Sequence, residues 1–69
     1  MSTLIQRQEA AIAAMLEPRT SVKRAVKLQR AVLRKFRAQS LKQGYTEQEA
    51  AQQARDVRDV FLLRVAADE

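Results

Sequence analysis

The sequence contains no cysteine, no histidine and no tryptophan. Without cysteine the chain cannot form a disulfide, and without either cysteine or histidine it cannot build the usual zinc site. Histidine is the most frequent general base in enzymes, and cysteine is the strongest common nucleophile. We therefore predict a protein that is not an enzyme and that holds no metal and no other cofactor.

A Mg²⁺ site formed by Asp56 and Asp59 would contradict this prediction. They stand three residues apart in the sequence, a spacing that makes them neighbours on a helix surface and could place two carboxylates near one Mg²⁺. Because Arg55 and Arg58 alternate with them, we interpret the group as a solvated surface with local ion pairs.

Long hydrophobic runs are also missing. No apolar run approaches the roughly 20 residues that cross a bilayer, so we predict no membrane insertion. The N-terminal residues do not show the basic segment and apolar run of a signal peptide, because polar residues at positions 6–9 interrupt them. Together with the lack of cysteine, which fits a reducing compartment, this predicts a cytoplasmic protein.

What the chain does contain is typical of one small folded domain, residues 1–69, with 46% hydrophobic and 30% charged residues. A core in a chain of this size supplies only about 3–5 kcal/mol of stability. Disulfides and structural metals are excluded, so oligomerisation or assembly with a partner is the remaining source of stability. We therefore expect an oligomer.

Hydrophobic residues recur at helical spacing in three segments, and the alternation of a β-strand is missing. The pattern predicts an all-α protein with helices over about 3–17, about 20–43 and about 46–66. Pro18 ends the first helix, and Gly44 lies where a left-handed residue would end the second. The short connection at residues 43–45 predicts that the second and third helices form a long antiparallel hairpin that dominates the fold.

The helix starts have their own signals. Thr3 with Gln6, and Thr46 with Glu49, have the spacing of capping boxes, in which two residues exchange side-chain and backbone hydrogen bonds. Thr20 or Ser21 is the predicted N-cap of the second helix.

The segment from residue 19 to residue 42 carries nine basic residues and no acidic one. On a helix with 100° per residue, with angles measured from Val22, the basic residues occupy an arc of about 60° to 220°. The apolar residues occupy the opposite arc. The apolar arc consists of Val22, Ala25, Val26, Leu28, Val32, Leu33 and Phe36. The residues predicted to bind a polyanion are Lys23, Arg24, Lys27, Arg30, Arg34, Lys35 and Arg37.

Several partners fit such a cationic face. Nucleic acid is the first, because aligned lysines and arginines neutralise phosphates, and the lack of interleaved aromatic residues favours backbone contact over base stacking. An acidic protein surface is the second, with this chain as a small subunit or adaptor. An anionic membrane surface is a third, and a solvated face that maintains solubility is the fourth. We favour nucleic acid, DNA or RNA.

The third helix has an inner apolar stripe followed by a cluster that one neighbour cannot cover. The stripe consists of Ala50, Ala54, Val57, Phe61 and Val65. The cluster is the consecutive run Val60, Phe61, Leu62 and Leu63, whose side chains point in four directions around a helix. Either the first helix or a second subunit covers it, and we predict a homo-oligomer interface there.

Overall fold

The computed structural model describes residues 3–17 and 22–67, and of Val22 the backbone alone. These residues form three α-helices and no β-strand: α1 (Leu4–Leu16), α2 (Val22–Lys42) and α3 (Glu47–Ala67). Each helix packs against the other two. The all-α prediction is confirmed. Both ends of α1 and of α3 and the C-terminal end of α2 lie within one residue of the predicted ones, and the described part of α2 begins two residues after the predicted start. The predicted N-cap at Thr20 or Ser21 lies outside the described residues.

Both predicted capping boxes are present. The Thr3 hydroxyl accepts a hydrogen bond from the Gln6 backbone N–H at 3.1 Å, and the Thr3 N–H donates to Gln6 Oε1 at 3.0 Å. Thr46 and Glu49 make the same exchange at 3.1 and 3.0 Å. These bonds satisfy backbone N–H groups that have no partner inside a helix, and so they fix where α1 and α3 begin.

The turn between α2 and α3 depends on Gly44. Its φ is 98°, in the left-handed region where residues with a Cβ are strained. The Gly44 N–H donates to Leu41 O at 3.1 Å, and the Tyr45 N–H donates to Ser40 O at 3.2 Å. These bonds satisfy carbonyl groups at the end of α2, as expected for a glycine that ends a helix.

The hydrophobic core draws on all three helices. Its buried cluster consists of Ala11, Ile12 and Met15 of α1, Phe36 of α2 and Val57 of α3. Partly buried hydrophobic residues from each helix, Phe61 among them, pack around this cluster. Most of the cluster therefore comes from α1, and Phe61 packs against it within its own chain.

Two parts of the predicted apolar pattern were wrong. Ala25 and Val26 of α2 are exposed, and Val65 of α3 is at the margin, at 37% exposure. For α2 the physical reason is the unequal length of the helices. At 1.5 Å per residue the 13 residues of α1 extend about 20 Å, and the 21 residues of α2 extend about 32 Å. α1 is too short to cover the whole apolar arc of α2.

Candidate nucleic-acid interface

The basic residues of α2 lie on its solvent side. All seven predicted polyanion-binding residues are exposed, whereas Phe36 and Ser40 of the same helix are buried. Within the described residues, the ion pairs join Arg58 to Asp59 and Arg64 to Glu9. Lys23, Lys27, Arg30, Arg34, Lys35 and Arg37 make no ion pair with a described acidic residue. These six side chains are thus available to an external anion.

An open groove of about 370 Å³ lies between α2 and α3. Two arginines of α2, Arg34 and Arg37, line it together with two arginines of α3, Arg55 and Arg58. The half-buried Leu33, Ala51 and Ala54 complete the lining. We call this surface the arginine groove. It extends the positive charge of α2 onto the third helix.

The sequence pattern did not predict that Arg55 and Arg58 lie beside the basic residues of α2. Arg58 does pair with Asp59, at 3.4 Å and with both side chains exposed, as interpreted from the alternating charges. Asp56, in contrast, accepts a hydrogen bond from Gln52 Nε2 at 3.0 Å. The available signal was that Arg55 and Arg58 follow Ala51 by four and seven residues, which places all three on one helix face.

Comparison of the chain with models of protein families, with curated proteins and with solved structures finds no match. A proposal of function therefore depends on the structure itself.

The described part of the chain also bears on metal binding and on membrane insertion. No three acidic, histidine or cysteine residues come close enough there to hold a metal ion. None of the helices in residues 3–17 and 22–67 is long and apolar enough to cross a membrane.

Arg7 of α1 is a further cation that the sequence pattern did not single out. Its side chain is buried, at 8% exposure. One terminal nitrogen, Nη2, donates to Ser40 Oγ at 2.7 Å and to the Phe36 carbonyl at 3.4 Å, and the guanidinium carbon lies 4.8 Å from the centre of the Phe36 ring. Arg7 thus connects α1 to α2 and is not part of the exposed cationic face.

The predicted oligomer interface divides into two parts. Phe61 packs against the core of its own chain. Leu62 and Leu63 are exposed, at 50% and 69%, and Val60 is at the margin, at 36%. The apolar surface available to a partner at this end of α3 is therefore centred on the two leucines.

Proposed function

We propose that this protein binds nucleic acid through the phosphate backbone, using the basic face of α2. The observation that supports this most strongly is a row of exposed cations along a 21-residue helix that carries no acidic residue. Clustering like charges on one face costs stability through repulsion, and a phosphate backbone removes that cost.

The length of the row suits an extended polyanion. Lys23 and Arg37 lie 14 positions apart, or about 21 Å along the helix axis at 1.5 Å per residue. Phosphates on one strand of duplex DNA recur about every 3.4 Å of the duplex axis, so the row can meet several of them. Phe36 is buried and Phe61 is partly buried, and no aromatic side chain interleaves the basic residues for base stacking. We infer contact with the backbone and little dependence on base sequence.

The test is charge reversal at the centre of the row. Arg30→Glu should weaken binding to duplex DNA and to structured RNA, whatever their sequence, and should lower the dependence of log K on log salt by about 0.9 for each lost phosphate contact. Circular dichroism should show unchanged helix content, because Arg30 is exposed. Arg64→Glu is the matched control, since Arg64 is on α3 and pairs with Glu9. Equal loss in both variants, or no binding by the parent protein, contradicts the proposal.

An acidic protein partner is a second candidate, and one observation favours it. A depression of about 500 Å³ on α2 combines apolar residues, Leu28, Ala31, Val32 and Ala38, with Arg34 and Lys35. An acidic segment with one apolar face would match this mixture of surfaces. Affinity purification with and without nuclease separates the candidates. One protein recovered at fixed stoichiometry after nuclease treatment favours the adaptor function.

The proposal includes two further features of the architecture. α2 and α3 form an antiparallel hairpin, which the short connection at residues 43–46 favours. The protein also forms a homo-oligomer through Leu62 and Leu63, whose exposure supports an apolar contact.

A further inference from the structure

We propose that the arginine groove binds a phosphate group in the backbone of one nucleic-acid strand, held by arginines of α2 and α3 together. This inference rests on the proposed function and assigns Arg55 and Arg58 of α3 to a surface otherwise formed by α2. It makes the interface a clamp between two helices instead of a single basic row.

The chemistry of the lining selects an anion rich in hydrogen-bond acceptors. Each of the four arginines carries a guanidinium, which offers five N–H donors and no acceptor. The side chains of Leu33, Ala51 and Ala54 contain no polar atom. Hence no lining side chain of the groove accepts a hydrogen bond, and a ligand has to supply both the negative charge and the acceptors. A phosphodiester does both, and guanidinium groups bind phosphate oxygens in pairs.

The shape of the groove admits more than a single atom. Its volume is about 370 Å³, far more than the roughly 30 Å³ that one water molecule occupies in the liquid. Ala51 and Ala54 are short, so they leave space between the arginines of the two helices. This space suits a phosphate with its attached sugars, while the apolar lining offers no donor or acceptor that would read a base.

The electrostatic state of the groove also favours an external anion. Arg34, Arg37 and Arg55 make no ion pair with a described acidic residue. The pair between Arg58 and Asp59 is exposed and 3.4 Å long, and exposed pairs contribute about 0–1 kcal/mol. A phosphate can therefore replace Asp59 at little cost.

Neutral variants on α3 test the inference separately from the proposed function. Arg55→Gln and Arg58→Gln should each weaken DNA binding several-fold, and the double variant should lower the salt slope by about 1.8, or about 0.9 for each contact. Arg64→Gln removes the same charge from the same helix outside the groove and should have a much smaller effect. If each groove variant equals Arg64→Gln while Arg30→Glu still weakens binding, the inference is wrong and the proposed function stands.

A second measurement does not depend on nucleic acid. Titration with tripolyphosphate, followed by the NMR signals of the arginine Nε–H groups, should shift Arg34, Arg37, Arg55 and Arg58 together and saturably. Ala51→Glu, which puts an acid among the arginines, should abolish the shift, and Gln48→Glu, an exposed position of α3 outside the groove, should preserve it.

The outcomes of this titration are decisive in each direction. Shifts in a protein that binds neither DNA nor RNA would support a phosphate site and contradict the proposed function. Absence of the shifts would overturn the inference. If polyglutamate of equal charge displaced tripolyphosphate and bound at least as tightly as DNA, the ligand of the groove would be an acidic protein, and the nucleic-acid assignment would be overturned.

Discussion

Arg7 is the residue whose environment differs most from its type. Burying a guanidinium costs free energy unless hydrogen bonds and charge compensate it. Ser40 and the Phe36 carbonyl supply hydrogen bonds, and Gln43 Oε1 lies 3.5 Å from Nη1. These partners are in the last two turns of α2 and just beyond it, where the negative end of the helix dipole favours a cation. The end of α2 therefore compensates part of this cost in the absence of a carboxylate among the described partners of Arg7, whose buried Nε makes no hydrogen bond.

We predict that Arg7→Ala lowers the free energy of unfolding by about 1–3 kcal/mol, the cost of leaving buried hydrogen-bonding groups without a partner. Urea unfolding followed by circular dichroism measures this. Arg64→Ala, which removes an exposed arginine, is the control and should cost less than about 1 kcal/mol. Equal stability of Arg7→Ala and the parent would show that Arg7 does not hold α1 on α2.

Thr46 and Glu49 give a prediction for pH dependence. Hydrogen bonds from the Thr46 backbone N–H and then from its hydroxyl lower the pKa of Glu49 below its ordinary value of 4.5. Thr46→Ala should raise that pKa toward the ordinary value and destabilise the protein by about 1 kcal/mol through loss of the N-cap.

The sign of the pH effect follows from the lowered pKa. Because the folded state favours the charged carboxylate, the contribution of Glu49 to stability is present above its ordinary pKa and is lost as pH falls through the folded value. Unfolding curves from pH 7 downwards should show the parent losing more stability than Thr46→Ala in acid. If the difference in unfolding free energy between the two proteins stayed constant with pH, this account would be contradicted.

At the residue scale, the sequence located both capping boxes but not the role of Arg7. A capping box is local, because its partners lie three positions apart. The burial of Arg7 depends on contacts with Phe36 and Ser40, which are 29 and 33 positions away. A charged residue in the amphipathic pattern of a helix is expected on the solvent side, so the sequence pattern carries no signal that Arg7 is buried.

At the scale of the element, α2 carries cations where the helix dipole disfavours them. Its first turn contains no acidic residue, and Lys23 lies in that turn. We predict that Lys23→Glu stabilises the folded protein by about 1 kcal/mol, because an anion near a helix N-terminus is favoured. The same change should weaken binding to nucleic acid.

Thermal unfolding and a salt-dependent binding titration on the same variant separate these two effects. Gln48→Glu is the control, because it adds a negative charge in the first turn of α3 and leaves every basic residue of α2 in place. If Lys23→Glu stabilised the protein without changing its affinity for nucleic acid, Lys23 would not be part of the interface. Such opposing effects are typical of positions kept for function.

The helices themselves were accessible to sequence reasoning, and their relative placement was not. Periodicity and caps fixed where α1 and α3 begin and which side of α2 is basic. The exposure of Val26 and the meeting of Arg37 and Arg55 in one groove depend on how far the helices overlap and how each is rotated about its axis. The hydrophobic period of a single helix does not determine how helices pack against each other.

At the scale of the whole molecule, the basic surface spans two helices and an apolar surface remains at the end of α3. We predict that Leu63→Glu, or the same change at Leu62, dissociates the protein into monomers, because it places a charge in an apolar contact. Sedimentation of the parent should show a mass above the 7.9 kDa of one chain. Leu41→Glu, at an exposed leucine of α2, is the control. A parent that sediments as a monomer at micromolar concentration contradicts self-association.

The uncovered start of α2 has a consequence for how binding depends on temperature. Residues 23–31 include no buried side chain, so their backbone hydrogen bonds have little tertiary support and open at a low free energy. A phosphate backbone held by Lys23, Lys27 and Arg30 would close these turns, and part of the binding free energy would be spent on ordering them. This ordering should contribute a favourable enthalpy and an unfavourable entropy to binding, a contribution that weakens on warming, and amide hydrogen exchange should slow in the first turns of α2 when nucleic acid is bound.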